Sequence, residues 1–169
     1  LEASLRKAGK TELLKIAQNT TMESGAIAYI RQRDALGLGH AVWCARRLIA
    51  NEPFAVVLPD DVITGEKPCL QQMVEAYSDV GGNMVAAMEV PKENASSYGL
   101  LDYDPVGERC LKVKAMVEKP KPEDAPSNMA VIGRYILTPK VLHNLNKKMV
   151  GVGGEIQLTD AIAKEIANS

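Results

Sequence analysis

The run FAVVLP, closed by Pro53 and Pro59, is the stretch that most restricts what this chain can fold into. A short, unbroken apolar run bounded by prolines reads as a strand buried on both faces, as in a parallel sheet covered by helices. NMVAAMEV, stopped by Pro91, reads the same way. Between them CLQQMVEAYSDV repeats apolar residues at helical spacing, with Leu70, Met73, Val74 and Tyr77 on one face and Gly81-Gly82 at the exit. Upstream, AIAYIRQ (Ala26 to Gln32) has the composition of a strand, and LGLGHAVWCARRLIA sets two glycines ahead of a helical stretch. The expected order is βαβαβ, an α/β fold with right-handed crossovers.

Beyond Pro91 the pattern changes. GLLDYD and RCLKVKAMVEKP flank the turn DPVGE and predict a hairpin. AVIGRYIL adds a strand, and PKVLHNLNKK and EIQLTDAIAKEIA predict two closing helices, so the sheet is expected to be mixed and mostly parallel. LEASLRKAGKTELLKIAQ reads as one opening helix, with Leu1, Leu5, Leu13 and Ile16 inward, and starts without a methionine. KPKPEDAP is a stiff loop rather than a linker.

A chain of 169 residues, 46% of them hydrophobic, suits one domain. Its 20 basic and 21 acidic residues are interspersed, which points away from nucleic acid and anionic membranes and towards a small ligand or another protein surface. No apolar run approaches a membrane span. Cys44, Cys69 and Cys110 are odd in number and lack metal-type spacing, as expected of free thiols in the cytoplasm.

Several short segments could carry chemistry. Gly37 and Gly39 precede a helix whose first N–H groups lack partners, an opening for a nucleotide or an ordinary strand-to-helix turn. Asp60 and Asp61 follow a buried strand, where open α/β sheets bind ligands; magnesium needs only one or two such carboxylates, and a solvated turn is the alternative. In MVEKP, Glu118 suits sugar hydroxyls and Lys119 suits a phosphate, although neighbours on a strand point to opposite faces and a solvated pair is equally open. Asp160, inside a predicted helix, must be exposed or engaged. No Ser-His-Asp or Cys-His arrangement is visible, and His143 reads as structural.

The order of RQRDALGLGHA, VVLPDD, SSYG, VEKPKPEDAPSNMAVIGRY and GEIQLTDAI closely resembles the bacterial UTP–glucose-1-phosphate uridylyltransferases, or UDP-glucose pyrophosphorylases, of the sugar nucleotidyltransferase family. The resemblance covers nearly the whole chain, including the opening LEASLRKAGKTELL. It implies a Rossmann-like nucleotidyltransferase fold and Mg²⁺-dependent conversion of UTP and glucose 1-phosphate into UDP-glucose and pyrophosphate. By motif, Gln32 and Gly37 resemble uracil contacts, with Gly39 and His40 completing the loop, and Asp60 resembles the magnesium ligand, with Asp61 its neighbour. Gly99 and Glu118 resemble glucose-binding positions, and Lys119 the lysine that steadies the sugar phosphate. Val131 to Gly133 would line the sugar pocket, with Asn128 and Glu155 at its rim. A homo-oligomer is also implied.

The chemistry fits these residue types, because phosphate attack on the α-phosphorus needs alignment and charge neutralisation rather than a general base. The family's N-terminal glycine-rich phosphate loop and C-terminal segment with a second acidic metal ligand have no counterpart here. Residues 1–169 are therefore expected to be the central part of a single nucleotidyltransferase domain, truncated at both ends and inactive alone. Alternatives are a related sugar-1-phosphate nucleotidyltransferase using dTTP or ATP, and a catalytically silent regulatory homologue.

Overall fold

The computed structural model describes residues 1–167, in two compact units, Leu1–Arg31 and Gln32 onward. In the first unit the expected single helix is two, α1 (Glu2–Lys7) and α2 (Thr11–Asn19). Gly9 separates them with φ +64°, a left-handed conformation that ends a helix at little cost to glycine. The break resets the helical register, and neither helix has a buried residue; Leu1, Leu13 and Ile16 are exposed. The strand expected at Ala26 to Gln32 does not form, and Tyr29 is 93% exposed. Strand-like composition reflects fit to a pleated, half-buried surface, and no described segment pairs with this run.

The second unit opens with α3 (Leu38–Cys44) and α4 (Arg46–Ile49), then β1 (Phe54–Val57), α5 (Cys69–Val80) and β2 (Met84–Glu89). A 3-10 segment, Lys92–Ser97, leads into the expected hairpin of β3 (Gly99–Pro105) and β4 (Leu111–Glu118). β5 (Met129–Leu137), α6 (Pro139–Asn146) and α7 (Leu158–Ile166) follow. α5 ends where predicted, with Gly81 at φ +62° donating its N–H to Tyr77 O. Among the described residues no helix is long and apolar enough to cross a membrane.

The α/β architecture is as expected, but the mostly parallel sheet is not: every pairing is antiparallel. The strands order as β1-β5-β3-β4, with β2 also on β5. Tyr135 and Ile136 of β5 are partnered from both sides, by Val56 and Ala55 of β1 and by Val85 and Met84 of β2. β1 and β2 therefore run in the same direction, as the βαβ pattern predicts, but β5 lies between them and pairs antiparallel with each. A crossover dictates the relative direction of two strands, not which strand fills the gap. Nor is β1 buried on both faces, because Phe54 and Val56 are half-buried while Ala55 and Val57 are exposed.

The alternation of β3 and β5 builds two cores. Leu101, Val131, Tyr135 and Leu137 join Val42 of α3, Val141, Leu142 and Leu145 of α6, and Leu158, Ala161 and Ile162 of α7. Leu100 and Ala130, paired across β3 and β5, belong to a second cluster with Val90 and Ala95. Adjacent residues thus serve opposite faces, as a two-residue side-chain period requires. Asn83 Oδ1 accepts from Thr138 N–H (2.8 Å) and Oγ1 (3.1 Å), tying the start of β2 to the start of α6.

Candidate active site at the strand ends

Three groups of sequence-predicted residues come together, at the glycine loop, the end of β1 and the end of β4. In the glycine loop, Gln32 Nε2 donates to the Gly37 carbonyl (3.1 Å) and lies 3.0 Å from His40 Nδ1. The loop is laced to the segment before α7: Ile156 N–H donates to Leu36 O (2.8 Å), and Gly39 N–H to Ile156 O (2.9 Å). The Gly39 N–H is therefore occupied rather than open to a ligand. A Cβ at Gly37, where φ is +96°, would lie 2.7 Å from Glu155 Cβ, and one at Gly39 would lie 2.7 Å from Ile156 O. Both glycines have a packing reason, which also places Glu155 against the loop. His40 is flanked by Trp43 (ring centroids 5.8 Å apart) and by Cys44 Sγ at 3.9 Å.

At the end of β1 the two aspartates have different surroundings. Asp61 is half-buried and its Oδ2 accepts the Gly133 N–H at 2.8 Å. Arg134 locks the same turn, donating from Nη1 to Leu58 O (3.0 Å) and Gly133 O (2.8 Å), and from Nη2 to Asp61 O (2.7 Å). Asp60 is exposed, and its carboxylate makes no hydrogen bond or ion pair with any described residue. Gly133 is required by this contact, since a Cβ there would meet Asp61 Oδ2 at 2.5 Å and Leu58 Cβ at 2.7 Å.

At the end of β4, Glu118 pairs with Gly99 across the hairpin, and its Oε2 accepts the Thr159 hydroxyl at 2.7 Å. A Cβ at Gly99 would lie 3.0 Å from that oxygen and 3.2 Å from Thr159 Cγ2. Lys119 is exposed and holds φ +46°, a left-handed conformation that a lysine adopts at a cost, with its N–H donated to Tyr98 O (3.0 Å). The path of β4 therefore ends at Glu118. Tyr135, 5% exposed, senses both strand ends: burial, and then the negative charges of Glu118 and Asp61, push its phenol up to about 12.

The segment 155–159 links two of the groups, the glycine loop through Ile156 and the end of β4 through Thr159 on Glu118. Val131 is buried among core residues, so its side chain packs rather than lines an opening. Asn128 lines a depression of about 230 Å³ with Lys92, Ala125 and Ser127. Sequence reasoning missed Arg134, Tyr135 and Thr159 as site residues. Arg and Tyr follow Gly133 directly, but a strand interior offers no signal of what its side chains reach, and nothing in the sequence around Thr159 shows which strand its hydroxyl meets.

Among the described residues no group of three or more His, Cys, Asp or Glu could enclose a metal. A lone exposed carboxylate instead suits a hard cation that keeps water and phosphate oxygens in its shell.

An α/β fold that carries carboxylates and a lysine at its strand ends and a glycine loop laced to the entry of α7 is equipped for ligands rich in phosphate and hydroxyl groups. Residues 7–169 match the family described as Nucleotidyl transferase, and the chain belongs to that family. It is 47% identical over 168 residues to the UTP–glucose-1-phosphate uridylyltransferase of Komagataeibacter xylinus, covering 99% of this chain and 59% of that protein. With the enzyme of the same name from Bacillus subtilis it shares 46% identity over 164 residues, 97% of this chain and 56% of that protein. A UDP-glucose pyrophosphorylase solved in complex with UDP-glucose superposes with a TM-score of 0.90 at 42% identity, over 96% of this chain and 62% of that one. The chain thus spans somewhat more than half the length of the curated relatives it matches.

Proposed function

We propose that residues 1–169 form the central part of a nucleotidyltransferase domain in a polypeptide that transfers a uridylyl group from UTP to glucose 1-phosphate, giving UDP-glucose and pyrophosphate. The observation that carries this reading is the 0.90 TM-score to a UDP-glucose pyrophosphorylase with UDP-glucose bound. Gln32, Gly37, Gly39 and His40 contact the uracil end. Gly99 allows close approach of the sugar, Glu118 accepts its hydroxyls and Lys119 meets its phosphate as a point charge. The backbone of Val131 to Gly133 flanks the sugar, and Glu155 and Asn128 supply rim contacts.

Asp60 fits a magnesium ion, because its carboxylate has no protein partner among the described residues and one oxygen ligand suffices. When bound, the ion supplies charge neutralisation among the phosphates. Asp61 keeps the turn in place through Gly133 and leaves Asp60 to the ion. The sugar phosphate is already ionised near neutral pH, so the residues need only orient and neutralise. A cytoplasmic location agrees with the free Cys44, Cys69 and Cys110, and a homo-oligomer completes the reading.

The test is pyrophosphate release by the intact polypeptide carrying these residues, given glucose 1-phosphate, Mg²⁺ and UTP, dTTP or ATP in turn. UTP is expected to support the fastest turnover. A preference for dTTP or ATP, or no turnover with any of them, overturns the proposal.

A further inference from the structure

We propose that Thr159 is the positioning residue that aims the Glu118 carboxylate and so sets how well the protein tells a sugar nucleotide from a bare nucleotide. This rests on the reading of Glu118 as the acceptor for sugar hydroxyls. Thr159 is a buried polar residue, 8% exposed, in the first turn of α7, and its hydroxyl donates to Glu118 Oε2 at 2.7 Å. Its Cγ2 sits 3.2 Å from where a Cβ on Gly99 would be. One χ1 rotamer thus puts the hydroxyl on the carboxylate and the methyl in the space that a side chain at position 99 would need, and a β-branched side chain has few other rotamers to adopt.

The consequence falls on Glu118. Its Oε2 is held by the Thr159 hydroxyl in space that only a glycine at position 99 leaves clear, and Oε1 has no hydrogen-bond partner among the described residues. Glu118 is the last residue of β4, and Lys119 beyond it leaves the strand path at φ +46°. The ladder alone does little to order this long side chain. A donor held by α7 restricts it before any ligand arrives, so less freedom is lost on binding. The same helix approach carries Ile156 under the glycine loop, so the α7 entry holds both ends of the site.

Thr159→Val keeps the shape and removes the donor; Thr159→Ser keeps the donor and removes the methyl. In the intact polypeptide, calorimetric titration is expected to show Thr159→Val weakening UDP-glucose about tenfold while leaving UDP unchanged. Thr159→Ser is expected to keep the wild-type ratio, and the KM for glucose 1-phosphate is expected to rise in the valine variant while that for UTP stays put. Should the valine variant not fold, Thr159→Ala carries the same expectation. An equal loss for both ligands, or a lower melting temperature with an unchanged ratio, overturns the inference and leaves Thr159 as part of the fold. Wild-type protein that binds UDP-glucose no tighter than UDP overturns the functional reading, and this inference with it.

Discussion

The glycine loop and the β1 turn differ in how much of their peculiarity the fold already explains. At residues 36–39 each special feature has a structural cause, since Gly37 clears Glu155, Gly39 clears Ile156, and the Gly39 N–H is spent on a carbonyl. At residues 58–61 the fold accounts for Asp61 and Gly133 through one hydrogen bond, and for Arg134 through the carbonyls it holds. It accounts for nothing at Asp60. A residue without a partner among the described residues, at a turn held by several hydrogen bonds, is a stronger pointer to a ligand than a glycine signature whose packing explains it.

The largest expected effect follows from that contrast. Asp60→Asn should lower Mg²⁺-dependent turnover of the intact polypeptide by about 100-fold or more while leaving urea unfolding within about 0.5 kcal/mol of wild type. A comparable loss of stability would erase the distinction between Asp60 and Asp61. Next, Gly39→Ala forces a Cβ against the Ile156 carbonyl, and about 3 kcal/mol of destabilisation is expected in the same unfolding measurement. A variant of unchanged stability would show that the loop yields and that packing does not require its glycines.

The smallest effect tests the burial of the Tyr135 phenol beside the two carboxylates. Its phenol is raised to about 12 by burial and then by Glu118 and Asp61, above an unfolded value of about 10. The unfolded chain then loses its proton first, so the associated stability is present below pH 10 and falls as pH rises towards 12. About 2 kcal/mol should be lost by pH 12 in wild type beyond the loss seen in Tyr135→Phe. Parallel pH profiles for the two proteins would show that the phenol is not held in a buried, negatively charged setting.

Much of the local structure was legible. α5 with its glycine exit, the hairpin around DPVGE, β5 and α6 stand where apolar spacing, Gly and Pro place them. The failures share a cause. Ala26 to Gln32 has strand composition without a strand to pair with, and the opening helix divides at a glycine that the pattern alone tolerates. Position past a strand leaves Asp60 and Asp61 equivalent and only the family resemblance favours Asp60; that Asp61 is taken up by the N–H of Gly133, 72 positions further on, is visible only in the fold.

By itself the sequence determined the segments and their chemistry: short apolar runs cut by prolines, a helix between two of them, and acids placed just past a strand. These follow from interactions within a few residues, whose period and punctuation can be read along the chain. Only the tertiary structure decided that β5 enters between β1 and β2, that the sheet is antiparallel, and that Thr159 on α7 holds Glu118 on β4. Those outcomes depend on which distant surfaces bury best against one another, and a strand's composition carries its faces but not the identity of its neighbour.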